Sequence, residues 1–466
     1  MKRKIRDVEF TLLESVLVEL ILFFTMRTPK ESKAEARRRI AECQSSRSPK
    51  LDLSKLELRA VPKDVFKLDW LTHLNLNDNQ IGDRGCKTLA SMHNLKVLYL
   101  RNNGISIKGV KKLSALQGLI ELDLYANEIE DEGCNYLSDL SNLEKLSLIN
   151  CEISDQGAIA LTTLENLRYL NIGFNRIGDK GAESLSALKC IKELNLMCCE
   201  IGVNGARELS KMDSLSSLDV SGNSIGEEGL LAISSLKNLK TFCLSDTYIP
   251  IVRERAVASM VNLTELDLSF NDLRDEEILF LSALPNLRKL NLHKNDLTDE
   301  GAKSLAALKG LTELKLGWNF IGDEGAQALT VLTNLQDLSL ESNEIGAAGA
   351  KAVSEMINLR KLDLSNNGIG VEGTAALSAL TNLEELALWD VVTCAEGVKT
   401  FTTLTKLKKL DLAHSILDEF CEDIWNLPAL ESVNLSGSKI AGVPENIPGP
   451  DCLSALRKYS KTRNLG

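Results

Sequence analysis

The stretch Leu71–Ile81, LTHLNLNDNQI, decides the fold because its pattern returns every 24 residues along the chain. Stepping by 24 from Leu74 to Leu410 meets fifteen positions, of which fourteen are Leu and one is Phe242. An asparagine column with the same period begins at Asn79. Self-similarity at a fixed period of this length indicates stacked structural units that share one continuous core. The residue pattern of one repeat therefore predicts the secondary structure and stacking of all the others.

The two halves of each repeat carry different signals. Alternation in the first half predicts a short strand, with Leu74 and Leu76 pointing inward and the residues between them outward. The side chain of Asn79 should then satisfy backbone groups of neighbouring coils, which would be costly to bury unpaired. In the second half a glycine column begins at Gly85, and apolar residues follow at helical spacing. Half-repeats offset by 23 residues lie at 51–53 and 433–435.

The motif LxxLxLxxN over residues 48–445 resembles leucine-rich repeat proteins. The resemblance implies an α/β fold, a curved right-handed leucine-rich repeat solenoid with a parallel concave sheet and convex helices. The Gly-Ala-x-x-Leu form of the helical half resembles the bacterial GALA-like and ribonuclease-inhibitor-like subclasses. Proline-containing end repeats at 60–65 and 443–447 resemble the leucine-rich region of Roco proteins.

The expected organisation has four parts. Residues 1–30 form an apolar N-terminal segment, and 31–50 form an N-terminal cap that contains a charged helix over 31–45. Residues 51–445 form the solenoid of 24-residue repeats. Residues 446–466 form a C-terminal cap and basic tail, with a final helix beginning near Asp451. Caps are expected because an uncovered terminal coil would expose the apolar core.

Charge and cysteine content narrow the class of protein. The 466 residues carry a net charge of −11. Residues 1–50 carry +5 and residues 451–466 carry +3, so the body of the chain, residues 51–450, carries −19. An acidic body argues against nucleic-acid binding, which needs a basic face. Eleven cysteines without a CxxC pair favour a reduced, intracellular chain and no metal site. Cys151 and Cys199 replace asparagine in its column and are interpreted as buried structural residues.

No catalytic constellation stands out from the repeats. Gly85-Cys-Lys-Thr and Gly301-Ala-Lys-Ser superficially resemble a phosphate-binding loop, but Lys does not directly follow Gly and both lie in the repeated glycine column. The four histidines are scattered and show neither Ser/His/Asp nor metal-ligand spacing. The sequence therefore predicts a chain that is not an enzyme and has no catalytic residues, metal ligands or cofactor.

Aromatic residues at outward positions of the predicted sheet are the candidate partner-binding residues, because tyrosine and tryptophan bury a large area at low entropic cost. The candidates are Tyr99, Tyr125, Tyr169, Phe174, Phe270, His293, Trp318 and Trp389. Packing on neighbouring residues is the alternative role, and Phe270 and Trp318 could instead shield the turn. Acidic residues alternate with these aromatics, at Asp123, Glu193, Asp219, Glu265, Asp267, Glu313, Asp363 and Asp411. They predict a protein partner with a basic surface.

The N-terminal stretch 8–26 is apolar after a basic start, but Glu14 and Glu19 interrupt it. Each would cost about 2.5–3.5 kcal/mol near a bilayer centre. Three interpretations remain: an amphipathic helix that packs on another surface, a membrane anchor, or residues upstream of a true start at Met26. The favoured location is the cytoplasm, with an exported effector or a membrane-anchored protein as alternatives.

The function predicted from these features is a non-enzymatic scaffold that binds another protein through its concave face. The alternatives are the recognition part of a ubiquitin-ligase or GTPase-regulating effector, for which Arg253 or Arg255 would be tested, and a membrane-tethered receptor. Two irregular repeats, 247–257 and 389–397, are candidate contact loops. Oligomeric state and partner identity stay open.

Overall fold

A computed structural model of the chain describes residues 29–247, 253–444, 447 and 449–463. The chain divides into two compact units, Met1–Asn175 and Arg176–Gly466. Each described unit alternates three-residue parallel strands with short helices, so the predicted α/β leucine-rich repeat solenoid is confirmed.

The described part of the first unit begins with an 18-residue helix and continues through strand and helix repeats. Its helices are α1 (Pro29–Ser46), α2 (Gly82–Leu89), α3 (Ile107–Leu113), α4 (Glu130–Leu137) and α5 (Asp155–Leu161), with a 3-10 helix at Lys63–Lys67. Its strands are β1 (Lys50–Asp52), β2 (His73–Asn75), β3 (Val97–Tyr99), β4 (Glu121–Asp123), β5 (Lys145–Ser147) and β6 (Tyr169–Asn171). All neighbouring strands pair in parallel.

The second unit continues the same alternation. Its helices are α6 (Gly178–Leu185), α7 (Val203–Leu209), α8 (Gly226–Ile233), α9 (Arg253–Ala258), α10 (Asp299–Leu305), α11 (Asp323–Leu329), α12 (Ala347–Val353), α13 (Gly370–Ala376), α14 (Ala395–Lys399), α15 (Glu422–Trp425) and α16 (Leu453–Arg463). Its 3-10 helices are Asp275–Ala283, Leu377–Ala379 and Thr400–Thr403. Its strands are β7 (Glu193–Asn195), β8 (Ser217–Asp219), β9 (Thr241–Cys243), β10 (Glu265–Asp267), β11 (Lys289–Asn291), β12 (Glu313–Lys315), β13 (Asp337–Ser339), β14 (Lys361–Asp363), β15 (Glu385–Ala387), β16 (Lys409–Asp411), β17 (Ile416–Leu417), β18 (Ser432–Asn434) and β19 (Lys439–Ile440).

Strand register follows the sequence period. Leu74 pairs with Leu98, and the same 24-residue step joins the central leucines of later coils. At the two ends the step is 23, because Leu51 pairs with Leu74 and Leu410 pairs with Val433. These central side chains are at most 4% exposed. The core is therefore a stack of leucines, as the columns predict.

The asparagine column forms a hydrogen-bonded ladder between coils. The Nδ2 atom of Asn127 donates to the carbonyl oxygens of Leu100 and Leu124, at 3.0 and 2.8 Å. Its Oδ1 atom accepts from the backbone N–H of Asn103 and Ile105, at 3.2 and 2.9 Å. One amide thus satisfies four buried backbone groups, which confirms the role predicted for this column.

Cysteine preserves one contact of the ladder where it replaces asparagine. The Sγ atom of Cys151 lies 3.2 Å from the oxygen of Leu124, the carbonyl equivalent to the one that Asn127 reaches one coil earlier. Cys151 and Cys199 are both fully buried. Burial raises the pKa of the Cys151 thiol to about 12, so it stays protonated and acts as a donor. The structural interpretation of these two cysteines is confirmed.

The glycine column results from close contact between successive helices. In the first unit, Oδ1 of Asp131 accepts the backbone N–H of Ser154 and of Gly157, at 2.8 and 2.9 Å, at the start of α5. A Cβ atom on Gly157 would lie 2.6 Å from that same oxygen. Where Glu277 replaces glycine, the segment Asp275–Ala283 is a 3-10 helix instead of an α-helix. Arg253, the other residue that replaces glycine in this column, begins the α-helix α9, so a side chain at this position does not by itself decide the type of helix.

Helices cover both described ends. In α1 the side chains of Ala36, Ile40 and Cys43 are buried. At the other end, Arg457 in α16 donates from Nε to the carbonyl oxygen of Trp425 at 2.9 Å, and Leu456 is fully buried. The helices predicted near 31–45 and after Asp451 are therefore present, while the four-part division of the chain stays a prediction.

Candidate protein-binding surface

The residue just before each asparagine of the ladder has a left-handed backbone conformation. The φ angle is +57° at Phe174 and Phe270 and +56° at Trp318. Asp78 and Asn102, which fill the same position in other coils, are residue types that tolerate this conformation. A large aromatic residue there costs conformational energy, on the order of 1–2 kcal/mol. The repeat geometry imposes the backbone, and nothing in it calls for an aromatic side chain.

Trp318 and Phe320 project into solvent on either side of the buried Asn319. Their side chains are 52% and 53% exposed. Trp318 therefore does not shield the turn beneath it. Phe320 was not among the aromatic residues selected from the sequence, because it lies beyond the strand, on the far side of the asparagine column. The sequence signal that could have identified Phe320 is an aromatic residue two positions after Trp318.

Phe270, two coils before Trp318, and His293, one coil before it, lie together in the same unit. Their ring centroids are 5.5 Å apart, and Lys294 places its Nζ atom 5.0 Å from the centre of the Phe270 ring. The Nδ1 atom of His293 lies 3.1 Å from Oε1 of Glu341. We call Phe270, His293, Trp318 and Phe320 the aromatic patch. It combines apolar area with charged side chains around it.

Gly317 makes the contact between His293 and Glu341 possible. These two residues are two coils apart, and Gly317 fills the intervening position. A Cβ atom on Gly317 would lie 2.3 Å from the Glu341 carboxylate, so this carboxylate occupies the space that a side chain would take. Ser339 also donates a hydrogen bond to Glu341. The edge of the aromatic patch is therefore held in place by contacts across three coils.

The tyrosines of the first unit have partners within it. The hydroxyl of Tyr99 donates to Oε1 of Glu121 at 2.6 Å, and burial together with this carboxylate raises the pKa of Tyr99 to about 12. The guanidinium of Arg101 lies 4.4 Å from the centre of the Tyr125 ring. Both rings are partly buried. These contacts support a packing role for part of each side chain and leave the rest accessible.

The three other candidates occupy different positions. Tyr169 begins β6, is half-buried, and its hydroxyl oxygen lies 3.4 Å from Nδ2 of Asn171. Phe174 is 42% exposed at the left-handed position. Trp389 in the second unit is half-buried, and its backbone N–H donates to Oγ of Ser365 at 3.2 Å. Beside Trp389, Val392 is exposed in the irregular repeat 389–397.

The aspartates that end many strands have a structural task. Each accepts the backbone N–H of the residue two positions later, at 2.9–3.0 Å, in a turn that leaves the strand. They are Asp123, Asp219, Asp267, Asp363 and Asp411. Burial raises the pKa of Asp123 and Asp219, and it raises that of Asp363 to about 6. Their carboxylates are thus less available to a partner than the sequence alone suggests.

Lysines neutralise several glutamates at the first strand position. Lys289 lies 3.0 Å from Glu265, and Lys409 lies 3.2 Å from Glu385. Exposed pairs of this kind contribute little to stability. They do make the sheet face less negative, where the sheet face means the outward-pointing side chains of the strands. A basic partner surface stays a prediction.

In the described part of the chain, no group of three or more His, Cys, Asp or Glu side chains is arranged to hold a metal ion. Among the same residues, no helix has both the length and the apolar character needed to cross a bilayer. The stretch 8–26 lies outside the described residues. So do 248–252 of the irregular repeat 247–257, and the side chains of Arg253 and Arg255.

Comparisons with known proteins identify the family. A leucine-rich repeat region model matches residues 133–304, and a second leucine-rich repeat model matches 68–90, 91–114, 311–329, 331–354 and 355–378. The chain belongs to the leucine-rich repeat proteins, whose fold is typical of protein–protein interaction scaffolds. The finer resemblances to GALA-like, ribonuclease-inhibitor-like and Roco repeats stay predictions.

Three solved structures are similar to this chain. Internalin InlF from Listeria monocytogenes is 28% identical over 65% of this chain and 83% of its own, with a TM-score of 0.50. A leucine-rich repeat protein from Leptospira interrogans is 24% identical over 86% of this chain and 94% of its own, with a TM-score of 0.48. The ectodomain of the plant receptor kinase GASSHO1/SCHENGEN3 from Arabidopsis thaliana, in complex with CASPARIAN STRIP INTEGRITY FACTOR 2, is 20% identical over 82% of this chain and 55% of its own, with a TM-score of 0.42. Comparison with curated proteins finds no match.

Proposed function

We propose that this chain is a non-enzymatic scaffold that binds another protein through its sheet face and the turns that follow the strands, with the aromatic patch as the principal anchor. The observation that carries the proposal is the exposure of Trp318 and Phe320, about half of each side chain. Burying these side chains in an interface would remove a large apolar area from water. Their present positions obtain only part of that gain, and Trp318 also adopts an unfavourable backbone conformation.

The surroundings of the patch support a specific interface. A cluster of aromatic anchors inside a polar rim is the usual composition of the residues that dominate binding energy. Here Lys294, beside Phe270, and Glu341, beside His293, supply the polar rim. We infer that Tyr99, Tyr125, Tyr169, Phe174 and Trp389 contribute additional contacts of the same type.

The proposed partner is a protein, and its contacting region is basic where it meets the remaining free carboxylates of the sheet face. The acidic body of the chain favours such a partner and disfavours nucleic acid. We infer a cytoplasmic location from the reduced state expected for eleven cysteines.

The test compares two double variants of the full chain as baits in affinity capture. Trp318→Ser with Phe320→Ser removes the two exposed aromatic side chains. The control, Leu279→Ser with Ile357→Ser, removes two apolar side chains of the same unit that are 57% and 60% exposed. A protein captured by the wild type and the control, but at least tenfold depleted with the first variant, is then purified and its Kd measured. If capture and Kd are the same with all three baits, the aromatic patch is not the binding surface.

A further inference from the structure

A basic groove in the second unit carries a different kind of site from the aromatic patch. It has a volume of about 360 Å³ and is lined by Lys237, Asn238, Lys240, Asn262, Thr264, Asn286 and Arg288. The lining residues belong to three successive coils. In each coil they come just before the strand, which is β9, β10 or β11. Three of the seven residues are cations and none is acidic, although the body of the chain carries −19.

The cations of the groove have no acidic partner in the described part of the chain. Lys237 donates to the carbonyl oxygen of Ser234 at 3.4 Å, and Nη1 of Arg288 donates to that of Leu287 at 3.0 Å. The neighbouring carboxylate of Glu265 is already paired with Lys289, at 3.0 Å. These positive charges are therefore available to a ligand.

One equivalent stretch of the same repeat column, later in the same unit, is neutralised. Arg360 and Lys408 stand in the same repeat column as Lys240 and Arg288, and both contact Glu384, Arg360 through Nε at 2.6 Å and Lys408 at 2.7 Å. In the groove this column reads Lys240, Thr264, Arg288, so a threonine stands where the glutamate would be. The absence of that carboxylate leaves a local positive potential on an acidic protein.

The groove also offers hydrogen-bond acceptors. Each of its asparagines donates from Nδ2 to a backbone carbonyl of the preceding coil, at 2.8–3.0 Å, and this fixes the amide plane. The Oδ1 atom of each amide is then left to accept a hydrogen bond from a ligand. Asn382, in the same repeat column as these asparagines, shows such a bond, because its Oδ1 atom accepts from Nζ of Lys406 at 2.7 Å. A matching ligand carries both negative charges and N–H donors.

The spacing of the cations favours an extended ligand. Lys240 and Arg288 are two strands apart, which corresponds to about 9–10 Å along the stack. The Arg288 side chain extends toward the following coil. Its Nη1 atom lies 2.3 Å from the position that a Cβ atom of Gly310 would take. Carboxylates two or three residues apart in an extended peptide are separated by about 7–10 Å. An acidic peptide supplies these carboxylates together with backbone N–H groups.

We propose that this groove binds an extended acidic peptide segment of a partner protein. Lys237 and Lys240 bind carboxylates of the peptide at one wall of the groove, and Arg288 binds a carboxylate at the other wall. The asparagine Oδ1 atoms accept hydrogen bonds from peptide N–H groups. The proposal does not depend on the aromatic patch, since the two sites share no residue.

The test measures the binding of fluorescein-labelled octaglutamate to the full chain by fluorescence anisotropy at low ionic strength. At neutral pH this peptide is extended because its charges repel one another. Lys240→Glu with Arg288→Glu is expected to weaken binding at least tenfold. The control, Lys361→Glu with Lys409→Glu, changes the net charge equally at two exposed strand lysines outside the groove and should alter Kd less than twofold.

Three outcomes would overturn the proposal. The wild type fails to bind octaglutamate, both double variants weaken it equally, or the groove variant loses dextran sulfate binding while octaglutamate binding is unchanged. The last outcome would assign the groove to an anionic polysaccharide. Circular dichroism verifies folding, and if the charge-reversed variant is misfolded, Lys240→Gln with Arg288→Gln replaces it with the same expectation of weaker binding.

Discussion

Replacing Asn127 by Ala should test the ladder that joins the coils. The asparagine side chain bonds to the N–H groups of Asn103 and Ile105 and to the carbonyl oxygens of Leu100 and Leu124. Leu124 keeps a second contact, from Sγ of Cys151 at 3.2 Å. Alanine therefore leaves three buried backbone groups without a partner.

The expected cost follows from these three groups. A buried donor or acceptor left unsatisfied costs about 1–3 kcal/mol, so the loss of three partners in Asn127→Ala should lower the free energy of unfolding by about 3–9 kcal/mol. Asn127→Cys should cost less than Ala by about 1 kcal/mol or more, because a thiol can still donate to Leu100 as Cys151 does to Leu124. Asn135→Ala, on the exposed face of α4, should stay within about 0.5 kcal/mol of wild type.

The assay is equilibrium urea unfolding of the full chain, followed by far-ultraviolet circular dichroism. Repeat proteins can unfold in more than one step, so the transition with the lower midpoint is compared between variants. A cost below about 1 kcal/mol for Asn127→Ala, or an equal cost for the Ala and Cys variants, would refute the assignment of the ladder as a main source of stability.

Further predictions concern charge, close packing and the core. Because the pKa of Asp363 is raised to about 6, ionisation destabilises the folded state, and the free energy of unfolding should fall between about pH 4 and 6.5 and level off above. Asp363→Asn keeps an acceptor for Ser365, should remove this fall in a pH series of urea titrations, and should be up to about 3 kcal/mol more stable at pH 7.5. Gly157→Ala should cost about 1–3 kcal/mol by thermal melting, because its Cβ would contact Asp131. Gly178→Ala, with φ +59° and nothing within 4 Å, should cost only about 1 kcal/mol, and equal costs for the two would contradict the packing explanation. Leu218→Ala in the fully buried core should cost about 2–5 kcal/mol, and a smaller loss in the same assay would argue against tight packing there.

Parts of the candidate surface could be predicted from the sequence. The period placed Tyr99, Phe270 and Trp318 outside the core, and the structure agrees. Their environments differ in ways that the period does not contain. Tyr99 is tied to Glu121, while Trp318 is half exposed. Outward-facing residues therefore differ in accessibility, because the side chains of neighbouring coils decide how much of each one solvent can reach.

The strand-ending aspartates were interpreted too simply from the sequence. An acidic residue at an outward position suggests attraction of a basic partner, yet Asp219 is largely engaged by the N–H of Ser221 at 2.9 Å. That bond requires the turn geometry that follows the strand. The basic groove was not predicted, because Lys240 and Arg288 come together only through the parallel register of β9, β10 and β11.

The sequence by itself determined the class of fold, the 24-residue register and the inner leucine core. It could do so because each coil repeats one local pattern and contacts mainly the coils next to it. Only the tertiary structure decided that Glu341 reaches across Gly317 to His293, that Arg288 extends over Gly310, and that Asp275–Ala283 is a 3-10 helix. These features depend on the space that neighbouring coils leave, which is set by packing in three dimensions and not by the pattern of any single repeat.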